Sequence, residues 1–245
     1  MAPDRRDGRV AVRGGAPLRL EVSHWYDFGD DRPLVGAELS GEEAWDALRL
    51  DTHGPFGLPE TRSAWEARAD ADRNAEARAR ALTALFDDRG VRALASYGVG
   101  TAVPELWLAR LTPERRLVVT EFAPATVERL TALFPEADVR RHDLRLDPPV
   151  ADADLHLFHR IDTELDDESL RAALARFAAV PVVVVATELL SARAVLRELR
   201  TRVRPGAVRA GLVRSRGSFE ALWRETHTSA PLRLHDLDGW LLEPR

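Results

Sequence analysis

From Val91 onward the chain alternates short apolar runs with helix-forming stretches, and this alternation restricts its fold more than any other feature. Arg92–Ser96, Arg116–Thr120, Ala137–His142, Ala153–Phe158 and Val180–Thr187 read as strands. Pro104–Arg110, Pro124–Phe134, Asp167–Ala178, Ser191–Val203 and Ser215–Arg224 read as helices. Val180–Thr187, Val-Pro-Val-Val-Val-Val-Ala-Thr, is apolar at both alternating sets of positions, as a parallel strand buried on both faces must be. Two further β-runs, Pro231–Leu237 and Gly239–Leu242, predict a hairpin closed by a tight Asp238-Gly239 turn. The expected fold is α/β: a doubly wound, Rossmann-like, mainly parallel seven-stranded sheet with an antiparallel C-terminal hairpin.

The first third reads differently. Residues 1–17 are rich in Arg, Asp and Gly and predict a disordered N-terminus. Residues 18–88 predict a helical cap or lid. Ser40 and Glu43 form a capping box for one helix, Asp51–Pro59 is a loop, and Thr61 to about Asp87 is one long helix marked by Trp65, Leu82, Leu85 and Phe86. The aromatic tract His24–Phe28 is a further candidate lid. Residues 89–245 form the predicted ligand-binding domain.

Composition narrows the partners. A chain of 245 residues that is 45% hydrophobic can bury a core as one domain with a cap. Its net charge is −5, every basic residue is arginine, and no broad basic field is on offer for nucleic acid. The absence of cysteine excludes disulfides, thiolate nucleophiles and iron–sulfur chemistry. No run approaches the roughly 20 apolar residues of a membrane helix, and the charged start lacks an apolar signal core, so a cytoplasmic protein is expected.

Chemistry is concentrated at the strand ends. Ser96-Tyr97-Gly98-Val99-Gly100 places a Gly-x-Gly turn between a strand and a helix, where unusual φ and close ligand approach are needed. Glu121 ends the second strand, where an acid in a nucleoside-binding α/β fold accepts from ribose hydroxyls. Asp143 follows the third strand and suits an adenine amino group, while Phe122 and Leu144 offer apolar faces to a base. Clustered ligands with metal spacing are missing, so no metal is expected.

Together these residues resemble the class I S-adenosylmethionine-dependent methyltransferases. The resemblance is sharpest at Ala153-Asp154-Leu155-His-Leu157-Phe158-His159-Arg160-Ile161-Asp162-Thr163-Glu164-Leu165-Asp166-Asp167-Glu168. That tract is similar to the Ala-Asp-Val-Tyr-Leu-Leu-Lys-Arg-Val-Leu-His-Asp-Trp-Asp-Asp-Glu pattern of small-molecule O-methyltransferases. It implies S-adenosyl-L-methionine as cofactor, held by Ser96, Tyr97, Gly98, Gly100, Glu121, Phe122, Asp143, Leu144 and His159. It also implies a small-molecule acceptor, in keeping with specialised metabolism, with homodimerisation left open.

Three positions depart from the pattern: Ser96 replaces the acid before the glycine turn, Ala102 the third glycine, and Thr163 the general-base histidine. The acid–base candidates that remain are His159, Asp162 and Glu164. The departures keep two alternatives open: cyclisation or transfer of the cofactor's aminocarboxypropyl arm, and a non-catalytic member of the fold.

Overall fold

The computed structural model describes residues 17–24, 41–52, 56–202 and 208–245. In chain order the elements are β1 (Arg19–His24), α1 (Glu42–Leu50), α2 (Arg62–Ala71), α3 (Arg73–Asp88), β2 (Ala93–Tyr97), α4 (Val103–Leu111), β3 (Arg116–Glu121), α5 (Pro124–Leu133) and β4 (Asp138–Arg141). There follow β5 (Leu155–His159), α6 (Asp167–Arg176), β6 (Val182–Val185), α7 (Ala192–Arg202), β7 (Val208–Arg214), α8 (Arg216–Trp223), β8 (His227–Leu234) and β9 (Leu237–Pro244). Seven strands form one sheet in the order β4-β3-β2-β5-β6-β9-β8. The first five are parallel, and β9 enters antiparallel between β6 and β8. This is the doubly wound α/β sheet with a C-terminal antiparallel hairpin.

Side-chain alternation divides the core into two layers. Leu94, Val119, Leu157, Val183, Val185 and Leu241 face one apolar cluster with Phe86 of α3, Leu106 of α4 and Leu130 of α5. Ala95, Val118, Phe158, Val182, Val184 and Leu242 face the other, with Leu174 of α6 and Phe219 and Trp223 of α8. Every strand in the middle of the sheet therefore needs apolar residues at consecutive positions.

The N-terminal helices are tied to this sheet by polar groups. Asp46 of α1 accepts from the backbone N–H groups of Ala125 (3.1 Å) and Thr126 (2.9 Å), placing a carboxylate on the N-terminus of α5. Trp65 of α2 donates from its indole to the Thr101 carbonyl at 2.7 Å, gripping the glycine turn from above.

Four local expectations need correction. The long helix over Thr61–Asp87 is two helices, because Asp72 leaves helical geometry and its side chain caps α3 by accepting from Ala75 N–H at 2.9 Å. The helix α1 is capped by Gly41, and Ser40 lies outside the described residues. The hairpin turns at His235-Asp236, with His235 at φ 56°, and Gly239 instead pairs with Leu232 inside the strands. Gly239 is there because a Cβ would stand 2.7 Å from the Val184 carbonyl oxygen of the neighbouring strand. Finally, Arg19–His24, read with the helical region, is a strand that pairs antiparallel with β7 in a separate two-stranded ribbon. The tract Trp25–Phe28 lies outside the described residues.

Candidate functional site

The ends of β2, β3, β4, β5 and β6 open on a single cavity of about 980 Å3, roofed by α1, the 56–58 segment, α2 and α3. Open parallel sheets bind ligands at this edge, where the strand order reverses. Here the reversal falls between β2 and β5.

The floor is the glycine turn. Gly98 and Gly100 have φ of 62° and 59°, and Ala102 follows at 51°. A Cβ on Gly98 would lie 2.8 Å from Ile161 Cγ2, and one on Gly100 would lie 2.6 Å from the Arg49 guanidinium. Gly98 is thus required twice, by conformation and by crowding against Ile161, whereas at Gly100 the positive φ is the requirement, since a guanidinium at the end of a flexible side chain can move aside.

Glu121 is buried at the end of β3. Its carboxylate accepts from Gly100 N–H at 3.0 Å and from Phe122 N–H at 2.8 Å. These two amides aim one oxygen at each side of the turn while leaving lone pairs for a ligand. Asp143 stands one strand over, in the turn after β4. Both its oxygens are engaged by Arg145, from Nε at 2.9 and 3.2 Å and from Nη2 at 2.8 Å. Burial acts to raise the Asp143 carboxyl, yet the bonds from Arg145 outweigh it and hold the group below the usual carboxylate range.

Past β5 the chain turns sharply. Arg160 adopts φ 62°, a conformation costly for a residue with a Cβ, and its carbonyl accepts from the Thr187 hydroxyl at 3.1 Å. The Thr163 hydroxyl donates to Glu164 at 3.2 Å. Burial pushes Glu164 up to about 7, with opposition from the Thr163 bond and from Arg49. Burial also pushes His159 down to about 3, so its imidazole is neutral near pH 7.

The cavity therefore brings together Gly98, Gly100, Glu121, Phe122, Asp143, Leu144, His159 and Glu164. Ser96, Tyr97 and Asp162 are not among the residues that line it. Strand alternation sends Ser96 and Tyr97 to opposite faces of the sheet. Ser96 donates to Glu105 of α4 at 2.7 Å, whose carboxyl burial pushes up to about 7. The Tyr97 hydroxyl accepts from Val150 N–H at 2.9 Å and pairs with His156 Nδ1 at 2.9 Å within the second apolar layer. Asp162 is buried beside the cavity, where it accepts from Thr187 N–H and hydroxyl at 2.8 Å each, and burial raises it.

Sequence reading missed Glu105, Arg49 and Arg145. Glu105 lies on the sheet-facing side of α4 and restores an acid beneath the turn where Ser96 lacks one; a Glu in the first turn of a helix carries no other sign of burial. Arg49 and Arg145 reach the cavity from outside any motif, one from the helical region and one from a loop. No group of three or more His, Asp or Glu that could hold a metal ion occurs among the described residues.

No protein-family model matches the chain, and no curated protein matches it by sequence. Solved structures do. Human N-acetylserotonin methyltransferase in complex with SAM superposes with a TM-score of 0.58 at 16% identity, over 89% of this chain and 61% of that one. The mitomycin 7-O-methyltransferase MmcR gives 0.58 at 17% identity, over 86% and 61%. PigF with SAH gives 0.58 at 13%, over 89% and 64%. This chain spans less than two thirds of the length of each of the three. The fold is that of the class I S-adenosylmethionine-dependent methyltransferases.

Proposed function

We propose that the protein binds S-adenosylmethionine and transfers its methyl group to a small-molecule acceptor. The observation that carries this reading is the bond from the Gly100 amide to the buried Glu121 carboxylate, which sets an acid against the glycine turn on the wall of the cavity. In this reading Glu121 receives the ribose hydroxyls, Asp143 the adenine amine, and Phe122 and Leu144 flank the base. The helices α1 to α3 serve as the cap and residues 89–245 as the cofactor-binding domain. The likeness to structures named for methyl transfer to small molecules supports the choice of acceptor class. Ser96 and Tyr97, at the end of the strand before the turn, act in this reading by holding that strand, Ser96 through Glu105 and Tyr97 through Val150 and His156.

Bound S-adenosylmethionine supplies an electrophilic methyl carbon on a sulfonium. The residues of the chain have to align the acceptor with it, exclude water and take away a proton. Glu164 is the base of this scheme, because it lines the cavity and its carboxyl titrates near neutrality. His159, neutral and lining the same wall, can orient the acceptor by a hydrogen bond. Asp162, held by Thr187, positions the loop.

Incubation with S-adenosylmethionine and a panel of phenolic and hydroxylated acceptors, followed by chromatography, tests the scheme. S-adenosylhomocysteine is expected only when an acceptor is present. Thr163, standing where a histidine base is found in the resembling enzymes, favours one second reading, attack on the aminocarboxypropyl arm. Methylthioadenosine formed without acceptor marks that reading and sinks methyl transfer.

With a methylated acceptor in hand, the rate is expected to rise as pH passes about 7 and then level off, since Glu164 must lose its proton to act. Glu164→Gln should lower the plateau by about 10²–10⁴-fold and flatten the profile. A parent profile with no inflection near neutrality removes Glu164 from this role.

A further inference from the structure

Among the described residues five arginines line the cavity, and the protein itself engages four of them. Arg49 donates to the Phe56 carbonyl, Arg68 to the Gly57 carbonyl, Arg145 to Asp143, and Arg78 to both oxygens of Asp236 at 2.7 and 2.6 Å. Arg160 is the exception: among the described residues its guanidinium has no hydrogen bond and no ion pair, only the longer-range fields of charged neighbours. The acids near enough to act on it, Asp162, Asp236 and Asp72, are committed elsewhere. Asp162 accepts from Thr187, Asp236 holds Arg78, and Asp72 caps α3. Arg78 sets a second positive charge against it. The backbone fixes Arg160 from both sides, its N–H donating to the Val185 carbonyl at 2.9 Å and its own carbonyl accepting from the Thr187 hydroxyl at 3.1 Å. The residue is held there at φ 62°, a conformation that persists with a Cβ only where the surroundings impose it. A guanidinium so placed in a cavity wall, beside another cation, is a charge without its counter-ion.

We propose that Arg160, with Arg78 beside it, forms a carboxylate site at the acceptor end of the cavity, so that the methyl acceptor is a small hydroxylated acid. The inference rests on the reading of this cavity as an S-adenosylmethionine methyl-transfer site. Arg160 directly follows β5, and β5 and β6 lie on the other side of β2 from β3 and β4, at whose ends stand Glu121 and Asp143. The anion site is therefore across the reversal in strand order from the acids assigned to the nucleoside, where a second substrate has its place. The open fork of Arg160 offers paired N–H groups that match the two oxygens of a carboxylate. Arg78, with Nε and Nη2 given to Asp236, keeps Nη1 for the same anion. His159 lines the same wall, and burial together with Arg160 and Arg78 keeps its imidazole neutral, so it adds a hydrogen-bonding group without a further charge. With the acid end of the acceptor fixed at Arg160, the hydroxyl is left for Glu164, which lines the cavity from the same loop.

Calorimetric titration of the full chain, first with S-adenosylhomocysteine and then, once saturated, with acceptor probes, is the test. The probes are the isomeric hydroxybenzoates and short hydroxyalkanoates, each beside its neutral amide. At least one acid is expected to bind the parent about tenfold more tightly than its amide, and added salt should shrink that difference. Arg160→Met should erase the preference, and Arg160→Lys should keep part of it, since an ammonium retains the charge but not the fork. S-adenosylhomocysteine should bind the parent and both variants alike, which also shows that the variants are folded. No preference for any acid over its amide in the parent, or a preference that survives Arg160→Met, overturns the proposal and leaves the cofactor reading standing. Weaker S-adenosylhomocysteine binding by both variants overturns it as well, and assigns the guanidinium to the carboxylate of the cofactor's own arm. Absence of S-adenosylhomocysteine binding by the parent overturns the cofactor reading, and this proposal with it.

Discussion

Glu121→Ala is expected to weaken S-adenosylhomocysteine binding by roughly 100-fold, about 3 kcal/mol, in a calorimetric titration against the parent chain. Two losses contribute. The ribose hydroxyls lose a charged acceptor, and the Gly100 amide, now bonded to the carboxylate at 3.0 Å, is left without its partner in a buried turn. The second loss makes the effect larger than that of deleting an ordinary contact, because the turn itself is positioned by the residue removed. Glu121→Gln keeps one oxygen for that amide and should fall between parent and Ala. Binding by the Ala variant within a few-fold of the parent would place the nucleoside somewhere other than the end of β3.

Arg214→Met is expected to be the most destabilising single change in the wall behind the site. Arg214 is fully buried at the end of β7. Its Nε donates to Asp167 at 2.7 Å, and its remaining nitrogens donate to the carbonyl oxygens of Asp162 and Leu165. One guanidinium thus staples both ends of the loop that carries Thr163 and Glu164. Met fills a similar volume but leaves the carbonyl oxygens of Asp162 and Leu165 unanswered and the Asp167 carboxylate with Arg19 alone. Leaving these acceptors unsatisfied costs about 3 kcal/mol in all, at about 1–3 kcal/mol per buried group. For a chain of this size that corresponds to a fall of about 10 °C in the calorimetric midpoint. Lys should not rescue it, since a single ammonium cannot serve three acceptors spread around a planar fork. A midpoint within about 2 °C of the parent would show that the loop is held by something else.

The parts of the fold that are legible in the sequence are those whose cause is local. Val182–Val185 must be apolar on both faces because helices cover both, so β6 is visible as a run. Glycines at the turn after β2 are visible because φ near +60° forbids most alternatives. Long-range causes leave no such mark. The strands β1 and β7 are short and mixed in polarity, and each is stabilised by a partner nearly 200 residues away. The break at Asp72 falls in a stretch rich in Ala and Arg whose helical propensity hardly changes across it, so only the cap reveals it. At the hairpin the strongest local turn signal, Asp238-Gly239, loses to the fit of β9 against β6, which needs a residue without a Cβ.

The site divides in the same way. Glu121 ends β3 and Asp143 follows β4, so topology alone places them on one edge of the sheet. The orientation of Ser96 and Tyr97 depends on which face each position takes, and the counterparts that engage them, Glu105 and His156, come from other elements. Arg145 is illegible for another reason. Two residues beyond the acid, in a polar turn, it looks like any solvated arginine, and only the stacking on Phe122 sets it apart.

The ribbon of β1 and β7 has a consequence for the way the chain is made. Leu18 N–H donates to the Ser215 hydroxyl, a partner 197 residues downstream. At about 5–20 residues per second on the ribosome, β1 waits roughly 10–40 s before its partner strand has been synthesised. Throughout that interval it is a nascent strand with an unfilled edge, while β2 to β6 already have neighbours with which to assemble. The ribbon can therefore close only after the parallel strands that carry the cavity have been made. A chain released before residue 208 could build the parallel half of the sheet and still present β1 as an open template to other nascent chains.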